Sequence, residues 1–236
     1  HTGENGVQVL LDAAHGTTLR EAGHDAVVTM AVDAAKAELR ETLRARRRAR
    51  SEADRAAVDS ALAIRVGAIP QIAALTDEPA SGCVTAYAWF GTEPRTDRLR
   101  AVLAVAGVRV LLPVIRADGM LSWADDDDEL SETGVKAGIP EPTSSIAATT
   151  AADLADLGCR VVLAPALAVD RQGNRIGKAG GYYDRLIADL DTLDASRRPV
   201  VVAIVHDDEI LDQIPTSGHD RRVDAVLTPS MYRRLP

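Results

Sequence analysis

The sequence predicts an α/β protein: a single three-layer domain with a mostly parallel sheet covered by helices on both faces. Apolar runs rich in β-branched residues, at 83–90, 108–115, 160–164, 199–205 and 223–228, alternate with stretches of helical pattern. That alternation is how a parallel sheet wound with helices is written. Strands covered on both faces read as such near-continuous apolar runs. Hydrophobic residues make up 46% of the 236, with only one Phe and two Trp. The core must therefore be built mainly from Ala, Val, Leu and Ile.

Residues 1–32 read as an N-terminal extension, polar and loop-like at its start, and Met30 is a candidate natural start. The α/β domain is expected over 33–236. It opens on a helix at 34–50, free of Gly and Pro, with Leu39 and Leu43 on one face and Lys36 and Arg40 stacked four apart on a second. Most of the arginines at 44, 46, 47, 48 and 50 are expected on a solvated surface. A second helix at 54–67 is expected to end at Gly67 and Pro70, followed by a polar connection at 76–82. After the strand at 83–90, Gly91-Thr92-Glu93-Pro94 turns into a helix at 97–106. Glu93 thus falls beyond the carboxyl end of a strand, where open α/β sheets place ligand-binding groups. Ala117-Asp118-Gly119 is a hairpin reversal. The acidic run 125–129 lacks the alternating spacing of a calcium loop and is expected to be solvated. His206-Asp207-Asp208-Glu209 contains no His-Glu-x-x-His pattern and is read as the acidic first turn of a helix.

The stretch from Pro165 to Asp184 differs in kind. A strand leads into Asp170-Arg171-Gln172-Gly173, which favours a reversal. Gly177, Gly180 and Gly181 then surround Lys178, and a helical pattern starts near Tyr182. Strand, glycine loop with a cation, then helix start is how backbone N–H groups and a helix N-terminus are offered to a phosphate. It is neither the Gly-x-x-x-x-Gly-Lys-Ser/Thr loop nor Gly-x-Gly-x-x-Gly.

The whole string Asp170-x-x-Gly173-x-Arg175-Ile176-Gly177-x-x-Gly180-Gly181-Tyr182-Tyr183-Asp184, with Gly138-Ile139-Pro140-Glu141-Pro142 upstream, resembles the 5-formyltetrahydrofolate cyclo-ligase (5,10-methenyltetrahydrofolate synthetase) family. The resemblance implies an ATP- and Mg2+-dependent closure of 5-formyltetrahydrofolate to 5,10-methenyltetrahydrofolate, with ADP and phosphate released. It implies that Lys36 and Arg40 hold ATP phosphates, together with Arg175, Ile176, Gly177, Lys178, Ala179, Gly180, Gly181, Tyr182 and Tyr183. It places the folate on Glu93 and on Lys178, Ala179, Gly180, Gly181 and Tyr182, with Lys178, Arg175 and Tyr182 in catalytic roles. Magnesium falls to Asp184 and Asp224. The chain departs from the family pattern at Ala179, where a glycine is expected. That departure keeps open a paralogue or a non-catalytic phosphate-binding module without folate activity.

Composition narrows the partners. A formal charge of −8 repels a phosphate polymer and argues against nucleic acid. No run reaches the ~20 apolar residues of a membrane span, and no export signal is visible. Cys83 and Cys159, beside or within apolar runs, fit a reduced, cytoplasmic protein. The expected partners are small molecules, a reduced folate and ATP, acting on a monomer.

Overall fold

The computed structural model describes residues 29–127 and 129–236. The expected extension therefore lies, as far as residue 28, outside the described residues, and so does Asp128 of the acidic run. In chain order the elements are α1 (29–48), α2 (Glu52–Arg65), α3 (Pro70–Asp77), β1 (Cys83–Thr85), α4 (Asp97–Val105), β2 (Arg109–Ile115) and β3 (Leu121–Asp125). Then come β4 (Leu130–Ser131), β5 (Glu141–Pro142), β6 (Ile146–Ala148), α5 (Ala151–Asp156), β7 (Cys159–Pro165), β8 (Ala168–Asp170) and β9 (Arg175–Ile176). The chain finishes with α6 (Tyr182–Leu190), β10 (Val200–Ile204), β11 (Ile210–Leu211), β12 (Ala225–Leu227) and β13 (Tyr232–Arg234).

The main sheet has eight strands in the order β13-β12-β10-β7-β1-β2-β3-β6. The inner five, β12, β10, β7, β1 and β2, are parallel, and the outer strands are antiparallel. Alternation of side chains along each strand feeds two cores. Val84, Val110, Leu112, Val161 and Leu163 pack with Leu62, Ile72, Leu99 and Leu103 of α2, α3 and α4. Their sequence neighbours Cys83, Leu111 and Val162 pack with Leu154, Leu186 and Leu190 of α5 and α6 on the other face. This is the expected three-layer arrangement. From β1 the chain winds outward to β2; from β7 it winds the opposite way to β10 and β12. Connections leaving β1 and β7 on opposite sides open a crevice beyond the carboxyl ends of these two strands.

Several elements differ from expectation. Pro70 does not end α2 but starts α3, at the first helical position, where its missing N–H is an orphan anyway. The strand expected at 83–90 pairs only over Cys83–Thr85, leaving 86–90 as extended chain at the crevice. After β12, an edge strand, β13, adds a further antiparallel pair. Asp125 and Asp126 are not free in solvent. Asp125 makes two hydrogen bonds with Arg109, and Asp126 reaches the buried Arg100 at 2.5 Å. No single described helix is long and apolar enough to cross a membrane.

The largest correction concerns α1. Its inward stripe is not separate apolar and cationic faces but one mixed row: Lys36, Leu43 and Arg47 are all buried. Arg47 is 0% exposed. Its guanidinium donates to both oxygens of Glu209, at 2.6 and 2.7 Å, and to the Ala166 carbonyl. Glu209 in turn accepts from the His206 N–H. Residues 206–209 therefore form not the first turn of a helix but a 3-10 turn, Asp207–Glu209, running into β11. His206 is buried, and that burial pushes its imidazole down to about 4, which keeps it neutral. Removing one member of a buried ion pair strands the other charge. Glu209→Ala should therefore cost about 3–5 kcal/mol in denaturant unfolding, whereas the double change Arg47→Met, Glu209→Leu should recover most of that loss.

Candidate functional site

The crevice at the β1/β7 reversal is a cleft of about 810 Å³. One wall comes from α1, another from the segment after β1, and the floor from the chain after β7. That floor is shaped by a hairpin. Asp170, fully buried, accepts the N–H groups of Gln172 and Asn174 and folds β8 back onto β9. The hairpin delivers Arg175 and Ile176 to the cleft, and residues 177–181 cross it before α6 begins. A Cβ on Gly180 would lie 2.5 Å from the Tyr182 ring, so only glycine lets the loop lie this close. Gly181 precedes α6 at φ 66° and supplies no side-chain cap. The first N–H groups of α6 are left for an external acceptor, and its N-terminal partial positive charge faces the same way.

The cations meet here. Lys36 Nζ lies 2.5 Å from Asp220 Oδ2 and 2.9 Å from Ser217 Oγ. Arg40 donates to the Gly177 carbonyl and Arg44 to that of Lys178, so α1 holds the glycine loop by its backbone. Arg175 is 6% exposed. Its Nη2 is 2.9 Å from Asp184, yet neither Nη2 nor Nε is aligned for a hydrogen bond. Buried donors left this way are matched to a further acceptor.

Lys178 and Glu93 form the second centre. Lys178 Nζ is 2.9 Å from Glu93 Oε1 and stands over the Phe90 ring, 3.4 Å from its centroid. Glu93 also accepts from the Phe90 N–H. Burial raises the Glu93 carboxyl above the usual range, although the Lys178 ammonium opposes it. Burial likewise lowers the Lys178 ammonium, with Glu93 working against the shift. The two opposite shifts bring the proton affinities of carboxylate and amine closer together than in exposed groups. Tyr183 adds a buried hydroxyl with no partner, its phenol pushed up by burial.

Among the residues singled out in the sequence, Lys36, Arg40, Glu93, the whole of 175–183 and Asp184 all line this cleft. Asp224 does not. Its Oδ2 is 2.7 Å from Arg198 and accepts the Val201 N–H, at the amino end of β10. The cleft opens at the carboxyl ends. The aspartate that does reach the cleft is Asp220, four residues earlier, opposite Asp184 and beside Arg221, whose N–H binds Asp184. Burial alone would raise the Asp220 carboxyl; Lys36 and Ser217 hold it below the ordinary range. No group of three or more His, Cys, Asp or Glu able to hold a metal exists among the described residues. Two carboxylates do fit magnesium, which keeps several waters and binds through one or two carboxylates plus substrate phosphates.

Fold and cleft define the class: a doubly wound α/β protein with an uncapped helix start and several cations gathered at its strand-order reversal. The chain belongs to the 5-formyltetrahydrofolate cyclo-ligase family, a family of ligases, whose model matches residues 32–229. It is 38% identical over 151 residues, 62% of this chain and 73% of the relative, to the 5-formyltetrahydrofolate cyclo-ligase of Mycolicibacterium smegmatis. The Escherichia coli cyclo-ligase is 29% identical over 149 residues, 62% of this chain and 78% of the relative. In fold it is similar to the 5,10-methenyltetrahydrofolate synthetase of Aquifex aeolicus (TM-score 0.66, 22% identity, 85% of this chain and 92% of that one).

Ala179 has φ 85°, the left-handed region, and is the one non-glycine residue there among the described residues. A Cβ in that conformation costs roughly 1–2 kcal/mol. Ala179→Gly should relieve this strain, offset by about 0.5–1 kcal/mol of added chain entropy in the unfolded state. The unfolding temperature is therefore expected to hold or rise, and a fall in a thermal melt would show that the alanine is not strained.

Proposed function

We propose that the protein catalyses ATP-dependent closure of 5-formyltetrahydrofolate to 5,10-methenyltetrahydrofolate, releasing ADP and phosphate. One observation carries this reading: a single cleft joins a phosphate site to a buried carboxylate–ammonium pair beside an apolar wall. The phosphate site comprises the start of α6, Arg175, Lys36 and Arg40, and the pair is Glu93–Lys178. The formyl oxygen is a poor leaving group. Transfer of the γ-phosphoryl group to it makes an imidate phosphate, N10 attacks the activated carbon, and the C–O bond breaks as phosphate departs.

The chain's part is positioning and charge. Lys36 and Arg40 hold the nucleotide's outer phosphates. The 177–181 backbone and the unaligned Arg175 donors meet the transferring group, where fixed donors act without reorganising. Lys178 follows the charge onto the formyl oxygen. Glu93 takes up the N10 proton as the ring closes, a role suited to a carboxylate whose proton affinity burial has raised. Tyr182 covers the reacting rings. Asp184 and Asp220 are the residues that would hold magnesium, whose charge would neutralise that of the phosphates. With small-molecule substrates and two reduced thiols, the reading places the protein in the cytoplasm.

The strained Ala179 favours a second reading, a family member that binds phosphate without folate activity. Formation of the methenyl chromophore separates the two. Purified protein with ATP and magnesium is expected to generate it from 5-formyltetrahydrofolate, and not without ATP; its absence under both conditions would leave only the second reading. Asp220→Asn and Asp184→Asn should each raise the magnesium concentration for half-maximal rate about tenfold or more, while Asp224→Asn leaves it unchanged. A larger effect from Asp224→Asn would return the metal to the amino end of the sheet.

A further inference from the structure

All three lysines of the chain, Lys36, Lys136 and Lys178, line the cleft, although it has many more arginines elsewhere. Two are committed to carboxylates: Lys36 to Asp220 and Lys178 to Glu93. Lys136 has no carboxylate partner among the described residues. It is exposed, on the segment between β4 and β5, and its Nζ stands 4.8 Å from the centre of the Tyr182 ring. Arg185, from the first turns of α6, approaches the same ring at 5.3 Å. It likewise has no carboxylate, and donates only to the carbonyls of Gly119 and Gly180.

The position of this pair separates it from the phosphate site. Lys36, Asp220 and Arg221 belong to the β10–β12 side of the strand-order reversal. Lys136 precedes Ile139 and Pro140, which line the cleft with Pro113, Ile115 and Leu121 on the β2–β3 side. Glu141, just beyond, binds the Ile115 N–H and ties that segment to the end of β2. Arg185 is tied to the β2–β3 turn through Gly119. Two cations without a carboxylate partner among the described residues therefore stand against the Tyr182 ring beside an apolar wall. An anion drawn there must be joined to a flat, apolar body.

We propose that Lys136, with Arg185, recognises the terminal carboxylates of the substrate, so that Lys136 determines selectivity for the glutamate-bearing form of the reduced folate. This rests on the folate reading above. With N5 and N10 at the Glu93–Lys178 pair, the benzoyl group follows the apolar wall and the glutamate emerges where Lys136 stands. A contact to the carboxylates, which take no part in the ring closure, is made equally in ground and transition states and acts on KM alone.

The test compares 5-formyltetrahydrofolate with 5-formyltetrahydropteroate, which lacks the glutamate, for the parent, Lys136→Ala and Lys136→Arg. Lys136→Ala should raise KM for the glutamate-bearing substrate about two- to fivefold, the worth of a partly exposed charge pair. It should leave kcat, KM for ATP and KM for the pteroate as in the parent, and Lys136→Arg should restore KM. Equal KM changes for both substrates, no change for either, or a rise in KM for ATP instead would each overturn the assignment. A parent that forms no methenyl product from either substrate would overturn the folate reading itself, and this assignment with it.

Discussion

The cleft depends on a buried ion pair. Helix α1 supplies Lys36, Arg40 and Arg44 to one wall, yet its inward stripe is too polar to dock by burial of apolar surface alone. Leu43 and Arg47 are what it inserts. Arg47 donates through Nε and Nη2 to Glu209, beyond the carboxyl end of β10, and through Nη2 to the Ala166 carbonyl beyond β7. The helix is therefore pinned to the mouths of the two strands that bound the crevice. Replacement by apolar residues could match such a pair for stability, but a directional, two-pronged contact also fixes where along the strand ends the helix sits. The register of Lys36 against Asp220, and of Arg40 against Gly177, follows from it.

Two electrostatic regimes share the cleft. Towards β10 and β12, charges are paired across short distances, Lys36 with Asp220 and Arg175 with Asp184. Towards β1, burial dominates. Glu93 and Lys178 are each shifted towards neutrality by burial and restrained first by the other, with the Phe90 N–H also favouring the Glu93 carboxylate. The acidic overall charge does not extend to the cleft, where cationic groups from α1 and the glycine loop converge on one small space.

Much of this was legible in the sequence, for physical reasons that differ by element. Helix α6 begins where its pattern says, because Gly181 and the amphipathic run that follows encode both the turn and the face. The glycine loop was legible because close backbone approach leaves few alternatives. Arg47 was not: within a run of arginines nothing local distinguishes the one that faces inward, and its partner lies 162 residues away. Asp224 and Asp220 flank the same short approach to β12, and only the three-dimensional turn decides which carboxylate reaches the cleft. The segment after His206 carries a helical pattern of apolar residues, but Glu209 is drawn inward by Arg47 and Ile210–Leu211 pair with β8 instead. Tertiary demand overrode local preference there.

Lys36 and Asp220, which meet across the cleft, are 184 residues apart in the chain. During synthesis, α1 leaves the ribosome long before anything it must bind exists. Its buried arginine waits for β10, and its lysine for the residues just ahead of β12. The apolar strands between can pair earlier, but the parallel connections among them are non-local and slow to form. The cleft is thus completed only after Glu209 and Asp220 have followed the glycine loop. A chain grown only as far as the glycine loop has that loop but not Asp220, which stands against Lys36 across the cleft.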